Sequence, residues 1–151
     1  MNRSLFRHAF VLILLALVGA FFVPTMAIPR LGLSAHTIGL LSGVLLIALG
    51  VIWQQFELSS TQRFWLKWFW LYSSYANWLG CLLGAIFGAG RMTPIAASGA
   101  VGPDWAEAVV AVVLGSVAIT SLIAAGLSLW GLRNPEPAGQ TITRKSTWTP
   151  T

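Results

Sequence analysis

Four long apolar segments constrain this chain more than any other feature of its sequence. They cover residues 6–28, 31–53, 64–89 and 105–132. The hydrocarbon core of a bilayer is about 30 Å thick, and a helix of about 20 apolar residues crosses it. Backbone groups inside a bilayer must satisfy their hydrogen bonds within the protein, and a helix does so within one segment. We therefore predict an all-α fold, a transmembrane bundle of four helices.

The composition favours a lipid environment over water. Hydrophobic residue types make up 56% of the 151 residues and charged types only 9%, whereas soluble domains carry about 25% charged residues. The basic residues form no cluster or stripe of the kind that nucleic-acid-binding domains present, so nucleic acid is not an expected partner. The expected partner is the lipid bilayer, which the chain would cross several times.

The basic residues also predict the orientation of the chain. Seven of the nine Lys and Arg residues fall on the side that holds both termini, and two fall on the other side. The first group is Arg3, Arg7, Arg63, Lys67, Arg133, Arg144 and Lys145, and the second is Arg30 and Arg91. Cytoplasmic loops are enriched in Lys and Arg, which predicts that both termini are cytoplasmic.

The predicted organisation is a transmembrane domain over residues 1–132 and a polar cytoplasmic tail without fixed structure over 133–151. A Gly, Ala and Pro-rich stretch at 90–103 predicts a loop before the fourth segment. One alternative is that the first segment, with Thr25-Met26-Ala27 near its end, is a cleaved signal peptide. Its apolar run is longer than is usual for such peptides, so we favour a retained first span.

Polar residues inside the apolar segments are the candidate functional residues, because they are costly at membrane depth. His36 shares one face of the second segment with Gly39 and Gly43. Neutral imidazole is a common ligand of metals and haem, and glycines leave room for a flat ligand or a close helix. On these residues alone we favour the simpler interpretation, in which His36 donates to a neighbouring carbonyl and the glycines serve helix packing.

Asn77 is the second candidate and lies near the middle of the third segment. Ser73 precedes it by one helical turn, and Tyr75 and Trp78 flank it. An amide at this depth either bonds a neighbouring helix or orients a polar aromatic ligand. The chain carries no nucleophile elbow, phosphate-binding loop or HExxH motif, so its chemistry is not that of the common soluble enzymes.

Three stretches resemble the hydroxylaminobenzene mutases, small four-span bacterial membrane proteins of nitroaromatic degradation. They are Arg3-Ser4-Leu5-Phe6-Arg7-His8, then Pro29-Arg30-Leu31-Gly32-Leu33-Ser34-Ala35-His36 with Gly39 and Gly43, then Tyr75-Ala76-Asn77-Trp78 with Gly80. The resemblance implies an isomerase that converts an arylhydroxylamine to an ortho-aminophenol by intramolecular hydroxyl transfer. Its substrate would be a small apolar aromatic molecule.

A weaker resemblance extends to the styrene oxide isomerases, which bind haem b through one histidine. The matching residues here are His36 and Asn77. This resemblance implies that His36 is a metal ligand, holding a haem whose ferric iron acts as a Lewis acid. Ser42, Ser73 and Cys81 stand where that family has asparagine, aspartate and tyrosine, and these departures argue against epoxide isomerisation.

Together these resemblances predict which residues form the site. His36, Gly39 and Gly43 are expected to bind the cofactor, and Asn77 to hold the N–OH group with help from Ser73 or Tyr75. The faces that carry these residues are also suited to meeting a neighbouring subunit. We therefore expect a homo-oligomer with its site near a subunit interface.

Three other functions stay open at this level. One is a haem-dependent epoxide isomerase, and another is a non-catalytic membrane subunit, in which His36 and Asn77 would make only helix–helix hydrogen bonds. The third is a haem electron carrier. We rank it lower because such carriers commonly use two axial side chains, and only one histidine is well placed within a span.

Overall fold

The computed structural model describes residues 1–133 and is helical, with no strand in that range. The predicted tail therefore lies outside the described residues, except for Arg133. Four long helices are joined by short connections, and a single turn of helix lies in the last connection. The helices are α1 (Arg3–Ala20), α2 (Pro29–Ile52), α3 (Ser60–Phe87), the short α4 (Pro94–Ala97) and α5 (Asp104–Gly131). The all-α prediction is confirmed.

The ends of the helices follow from local sequence signals. α1 ends at Ala20, short of the predicted residue 28, and a 3₁₀ turn at Val23–Thr25 contains Pro24, which has no backbone N–H for a continuing helix. α3 begins earlier than predicted, because Ser59 and Gln62 form a reciprocal capping box. Gly88 ends α3 in the left-handed conformation, with a φ of 72°, which glycine adopts without strain.

Three of the long helices are apolar enough to cross a membrane by length and composition. They are α1, α2 with the turn after it (Pro29–Gln55), and α5. α3 has 28 residues, but its first two turns carry Arg63 and Lys67, and it is not among the three. The outer faces of the helices expose large apolar side chains such as Phe10, Leu41 and Leu122, as lipid-facing surfaces do. The four-span count and the orientation therefore stay predictions.

The helices pack in chain order, α1 on α2, α2 on α3 and α3 on α5. The closest approach is between α1 and α2. A methyl group added to Gly39 would come 2.5 Å from Cβ of Ala16 and 2.9 Å from Cδ1 of Trp78, and one added to Gly43 would collide with Ile13. Small residues let membrane helices approach this closely and gain van der Waals contact.

A buried carboxylate holds the connection between α3 and α5. Glu107 lies in the first turn of α5 and is only 4% exposed. Its two oxygens accept the backbone N–H groups of Gly90 at 3.0 Å, Arg91 at 3.1 Å and Gly102 at 3.0 Å. The Arg91 side chain also pairs with Asp104 at 3.1 Å on the surface. Buried charge is tolerated when its hydrogen bonds are made within the protein, so Glu107 fixes this loop onto α5.

The glycine contact predicts a strong effect of one methyl group. We expect Gly39→Ala to lower the free energy of unfolding by about 1–3 kcal/mol, because the fixed Cβ of Ala16 forces α1 away from α2. Gly126→Ala is the matched control, since a methyl group there would meet no atom within 4 Å. The midpoint of thermal unfolding in detergent measures both. An equal response of the two variants would contradict the close packing of α1 on α2.

Candidate active site

His36 is held by a hydrogen bond to the preceding helix. Its Nδ1 lies 2.8 Å from the carbonyl oxygen of Ala16 on α1. A carbonyl oxygen only accepts, so Nδ1 carries the proton and Nε2 of the neutral ring keeps its lone pair. The ring is partly exposed, and the one fully buried polar side-chain atom without a partner in the described residues is Oγ1 of Thr93. Nε2 of His36 is therefore accessible as an acceptor or ligand.

The two glycines beside His36 do not form an open floor for a flat ligand. Gly39 and Gly43 are buried, and the space above them is filled by Ala16, Trp78 and Ile13. Their predicted role in cofactor binding is thus not supported within one chain, because α1 occupies the groove. The packing role expected from the residues alone is the one that the structure shows.

Asn77 has an amide without a partner in the described range. It is partly exposed, and no hydrogen bond among residues 1–133 involves its side chain. Ser73 lies one turn before it, buried, with its hydroxyl donating to the Trp70 carbonyl at 3.3 Å. Gly80, on the same side of α3, packs against Leu114 of α5. Gly84, seven residues after Asn77, packs against Leu31 of α2, so Asn77 lies on the part of α3 between its contacts with α2 and α5.

Tyr75 lies on a different face of α3 from Asn77. Two residues along a helix differ by about 200° around its axis. The Tyr75 hydroxyl donates to the His8 carbonyl at 3.1 Å, and its oxygen lies 3.3 Å from Nδ1 of the same residue. The two rings meet edge to face, with centroids 5.9 Å apart. Helical geometry therefore separates the side chain of Tyr75 from those of Asn77 and Ser73 within one chain, and its predicted role beside Asn77 stays a prediction.

His8 is a polar residue of this region that we did not predict as a site residue. It lies on α1 between Leu5 and Leu12, which are fully buried. His8 comes three residues after Leu5 and four residues before Leu12, so it lies next to the buried face of α1. That periodicity predicts only that His8 borders the packed face of α1; its neighbour on α3 is shown by the hydrogen bond to Tyr75.

A groove of about 380 Å³ opens between α1 and α3 on this side of the molecule. Its walls are almost entirely apolar and mostly aromatic. The lining residues are His8, Trp68, Leu71, Tyr72, Tyr75, Ala76, Trp78 and Leu79. It is therefore a separate feature from the surroundings of His36, which contacts α1 on another part of the bundle.

Comparison with known proteins decides the family. The family model of the styrene oxide isomerases matches residues 1–133. The chain belongs to this family. It is 44% identical over 133 residues to hydroxylaminobenzene mutase HabB of Ectopseudomonas oleovorans, covering 87% of this chain and 81% of that protein. It is 42% identical over 98 residues to hydroxylaminobenzene mutase HabA of the same organism, covering 64% and 73%. No solved structure matches it significantly.

These relatives confirm the resemblance predicted from the residues and show that the chain is an isomerase. The alternative of a non-catalytic membrane subunit has no support among them. His36 and Asn77 lie within the matched range, as do Ser73 and Tyr75.

The imidazole of His36 suits a single axial haem ligand, but Ala16, Trp78 and Ile13 fill the space over Gly39 and Gly43, so one chain alone leaves no room for the haem ring on that face. The Ala16 carbonyl orients the His36 ring and leaves Nε2 free to ligate, which is the arrangement that ligand histidines commonly show. Ala16 lies eight residues after His8 on α1, a distance of about 12 Å along the helix. No group of three or more His, Cys, Asp or Glu side chains lies together in residues 1–133. Within one chain His8 and His36 thus lie at different levels of the bundle.

Proposed function

We propose that this isomerase converts an arylhydroxylamine to an ortho-aminophenol inside the bilayer. The identity of 44% to HabB, over most of both chains, is the observation that carries this proposal. In the reaction the N–O bond breaks and a C–O bond forms at the neighbouring ring carbon. The hydrogen of that carbon moves to nitrogen, so substrate and product have the same atoms and no oxidant or reductant is needed.

His36 is the proposed ligand of a haem b in this reaction. Its Nε2 is accessible and its ring is fixed by the bond to Ala16. When bound there, ferric iron would supply a Lewis acid that polarises the oxygen of the N–OH group. The chain itself supplies a setting with little water, since the long helices expose apolar side chains outward. Water exclusion protects an electron-poor nitrogen from side reactions.

Asn77 is the proposed residue that holds the N–OH group. Its amide offers two N–H donors and one carbonyl acceptor, all without a protein partner in residues 1–133. The Ser73 hydroxyl uses its hydrogen on Trp70 and retains lone pairs that can accept a bond from the substrate. Tyr75 faces His8 instead, and we assign it no part in this pair.

We propose that a second copy of the chain completes the site. His36 bonds α1, and the amide of Asn77 has no hydrogen-bond partner in residues 1–133. No hydrogen bond links the two residues within the described part of one chain. A homo-oligomer in which His36 of one subunit faces Asn77 of another would bring the two together.

The membrane arrangement that we propose has four spans, including α3, with both termini cytoplasmic in the bacterial inner membrane. α3 has the length of a span and lies between α2 and α5, which are both apolar enough to cross. Partner helices can cover its polar and aromatic residues, and the positive charges of Arg63 and Lys67 lie at its first two turns, where a cytoplasmic end places them.

A second candidate reaction is the isomerisation of an aryl epoxide. The family model named for styrene oxide isomerase favours it by matching residues 1–133. HabB and HabA are both named hydroxylaminobenzene mutases, so an arylhydroxylamine is the first substrate to test.

An absorption spectrum joined to a turnover assay tests the reaction and the haem separately. We expect the detergent-purified protein to show a Soret band and to form 2-aminophenol from hydroxylaminobenzene. His36→Ala should lose both, because it removes the ligand, and His8→Phe should keep the Soret band. A colourless protein that still forms aminophenol would contradict the proposed haem and support the proposed reaction. If the wild-type protein forms no aminophenol but isomerises styrene oxide, epoxide isomerisation replaces the arylhydroxylamine reaction as the proposed function.

Subunit mixing tests the shared site. We expect His36→Ala and Asn77→Ala, each inactive alone, to regain activity when they are expressed together, because some interfaces then combine an intact His36 with an intact Asn77. Two copies of the same variant, expressed from both plasmids, are the control. Inactivity of the mixture, with both variants correctly assembled, would show that one chain supplies both residues.

Cysteine labelling tests whether α3 crosses the membrane. In a Cys81→Ser background, we expect Met92→Cys to react with an impermeant maleimide in intact spheroplasts and Thr61→Cys to react only after lysis. Both side chains are exposed. Thr61 lies in the first turn of α3, and Met92 lies in the connection after α3 ends at Phe87. A spanning α3 therefore places them on opposite sides of the membrane. Identical labelling of the two would mean that α3 does not cross, and reversed labelling would overturn the orientation.

A further inference from the structure

The groove between α1 and α3 differs from an ordinary lipid-facing surface in its walls. Trp68, Tyr72 and Trp78 contribute three large aromatic rings, and Leu71 and Leu79 contribute aliphatic surface. Its volume of about 380 Å³ is within the range of about 300–1,000 Å³ that small-molecule pockets occupy. The groove is thus shaped for one compact ring system.

A polar pair lies in this apolar setting. The Tyr75 hydroxyl uses its only hydrogen on the His8 carbonyl, so the bond between its oxygen and Nδ1 of His8 takes its hydrogen from the imidazole. Nε2 of His8 therefore carries the free lone pair. It has no protein partner among the described residues, and it is not a fully buried atom. His8 lines the groove, as do Tyr72 and Tyr75; the two tyrosine hydroxyls already take part in hydrogen bonds with Ser116 and His8, so Nε2 of His8 is the acceptor without a protein partner.

We propose that this groove is a second small-molecule site, which binds an aromatic molecule carrying one hydrogen-bond donor. The ring lies against the aromatic walls and the donor bonds Nε2 of His8. Under the proposed function, on which this identity of the ligand rests, the molecule is the arylhydroxylamine itself, received from the bilayer before it reaches His36. The N–O–H group supplies the donor.

The acceptor distinguishes this ligand from other occupants of the groove. A lipid acyl chain has no donor, so it leaves Nε2 unmatched in apolar surroundings, which is unfavourable. An aromatic ring without a donor meets the same penalty. A ring with a hydroxyl or N–O–H group matches both the walls and the acceptor.

Photolabelling tests the site independently of turnover. The probes are 4-azidophenol, which carries a donor, and azidobenzene, which lacks one, and labelled peptides are mapped by mass spectrometry. We expect 4-azidophenol to label residues 68–79 of the wild-type protein about tenfold more than azidobenzene does, the ratio that about one hydrogen bond contributes. His8→Phe keeps the bulk of the ring and removes the acceptor, so it should abolish this preference.

Leu79→Trp fills the groove and leaves His8 and Tyr75 themselves unchanged, and Leu122→Trp is its control at an exposed leucine of α5. We expect only Leu79→Trp to reduce labelling by 4-azidophenol, and to raise KM for hydroxylaminobenzene with little change in kcat. Equal labelling by both probes, or a preference that survives in His8→Phe, would overturn the site. If wild-type protein lacks mutase activity, the proposed function fails, and the labelling result still decides whether the groove is a donor-selective site.

Discussion

The close contact of α1 with α2 is the interaction on which the other features depend. Gly39 and Gly43 present bare backbone to α1, so the two helices approach without intervening side chains. This approach brings the Ala16 carbonyl within 2.8 Å of His36. The same antiparallel pairing places the N–H of Asn2 3.0 Å from the Gly50 carbonyl at the other end of α2. The choice of which ring nitrogen of His36 donates is therefore set by the absence of side chains at Gly39 and Gly43.

The position of α1 on α2 also determines what α3 meets. Trp78 packs over Gly39 and Tyr75, three residues earlier, reaches His8. α1 thus takes part in two histidine contacts. Its Ala16 carbonyl accepts a hydrogen bond from His36 of α2, and its own His8 contacts Tyr75 of α3. α1 packs mainly on α2 and more lightly on α3, whereas α5 packs on α3, so the main contacts follow the order of the chain. Exposed faces of α2 and α3 remain available for a second copy, as the proposed shared site requires.

Much of the fold could be predicted from the sequence, because apolar segment length and Pro, Gly and Ser signals act locally. The bond donated by His36 to a carbonyl, and the packing role of the glycines, also followed from the residues. The motif did not show that Tyr75 and Asn77 lie on different faces of α3, because adjacency in a motif says nothing about which side of a helix each residue occupies. His8 and Glu107 escaped prediction for another reason: their partners are residues far away in sequence, and no local pattern names them.

Glu107 has a consequence for how the protein is assembled. Its carboxylate is stable under the surface only when Gly90, Arg91 and Gly102 present their N–H groups to it, and all three belong to the segment that emerges from synthesis before α5. An ionised side chain without those donors keeps its water. The first turn of α5 and the segment before it therefore depend on each other for their buried arrangement, because neither can bury this carboxylate alone.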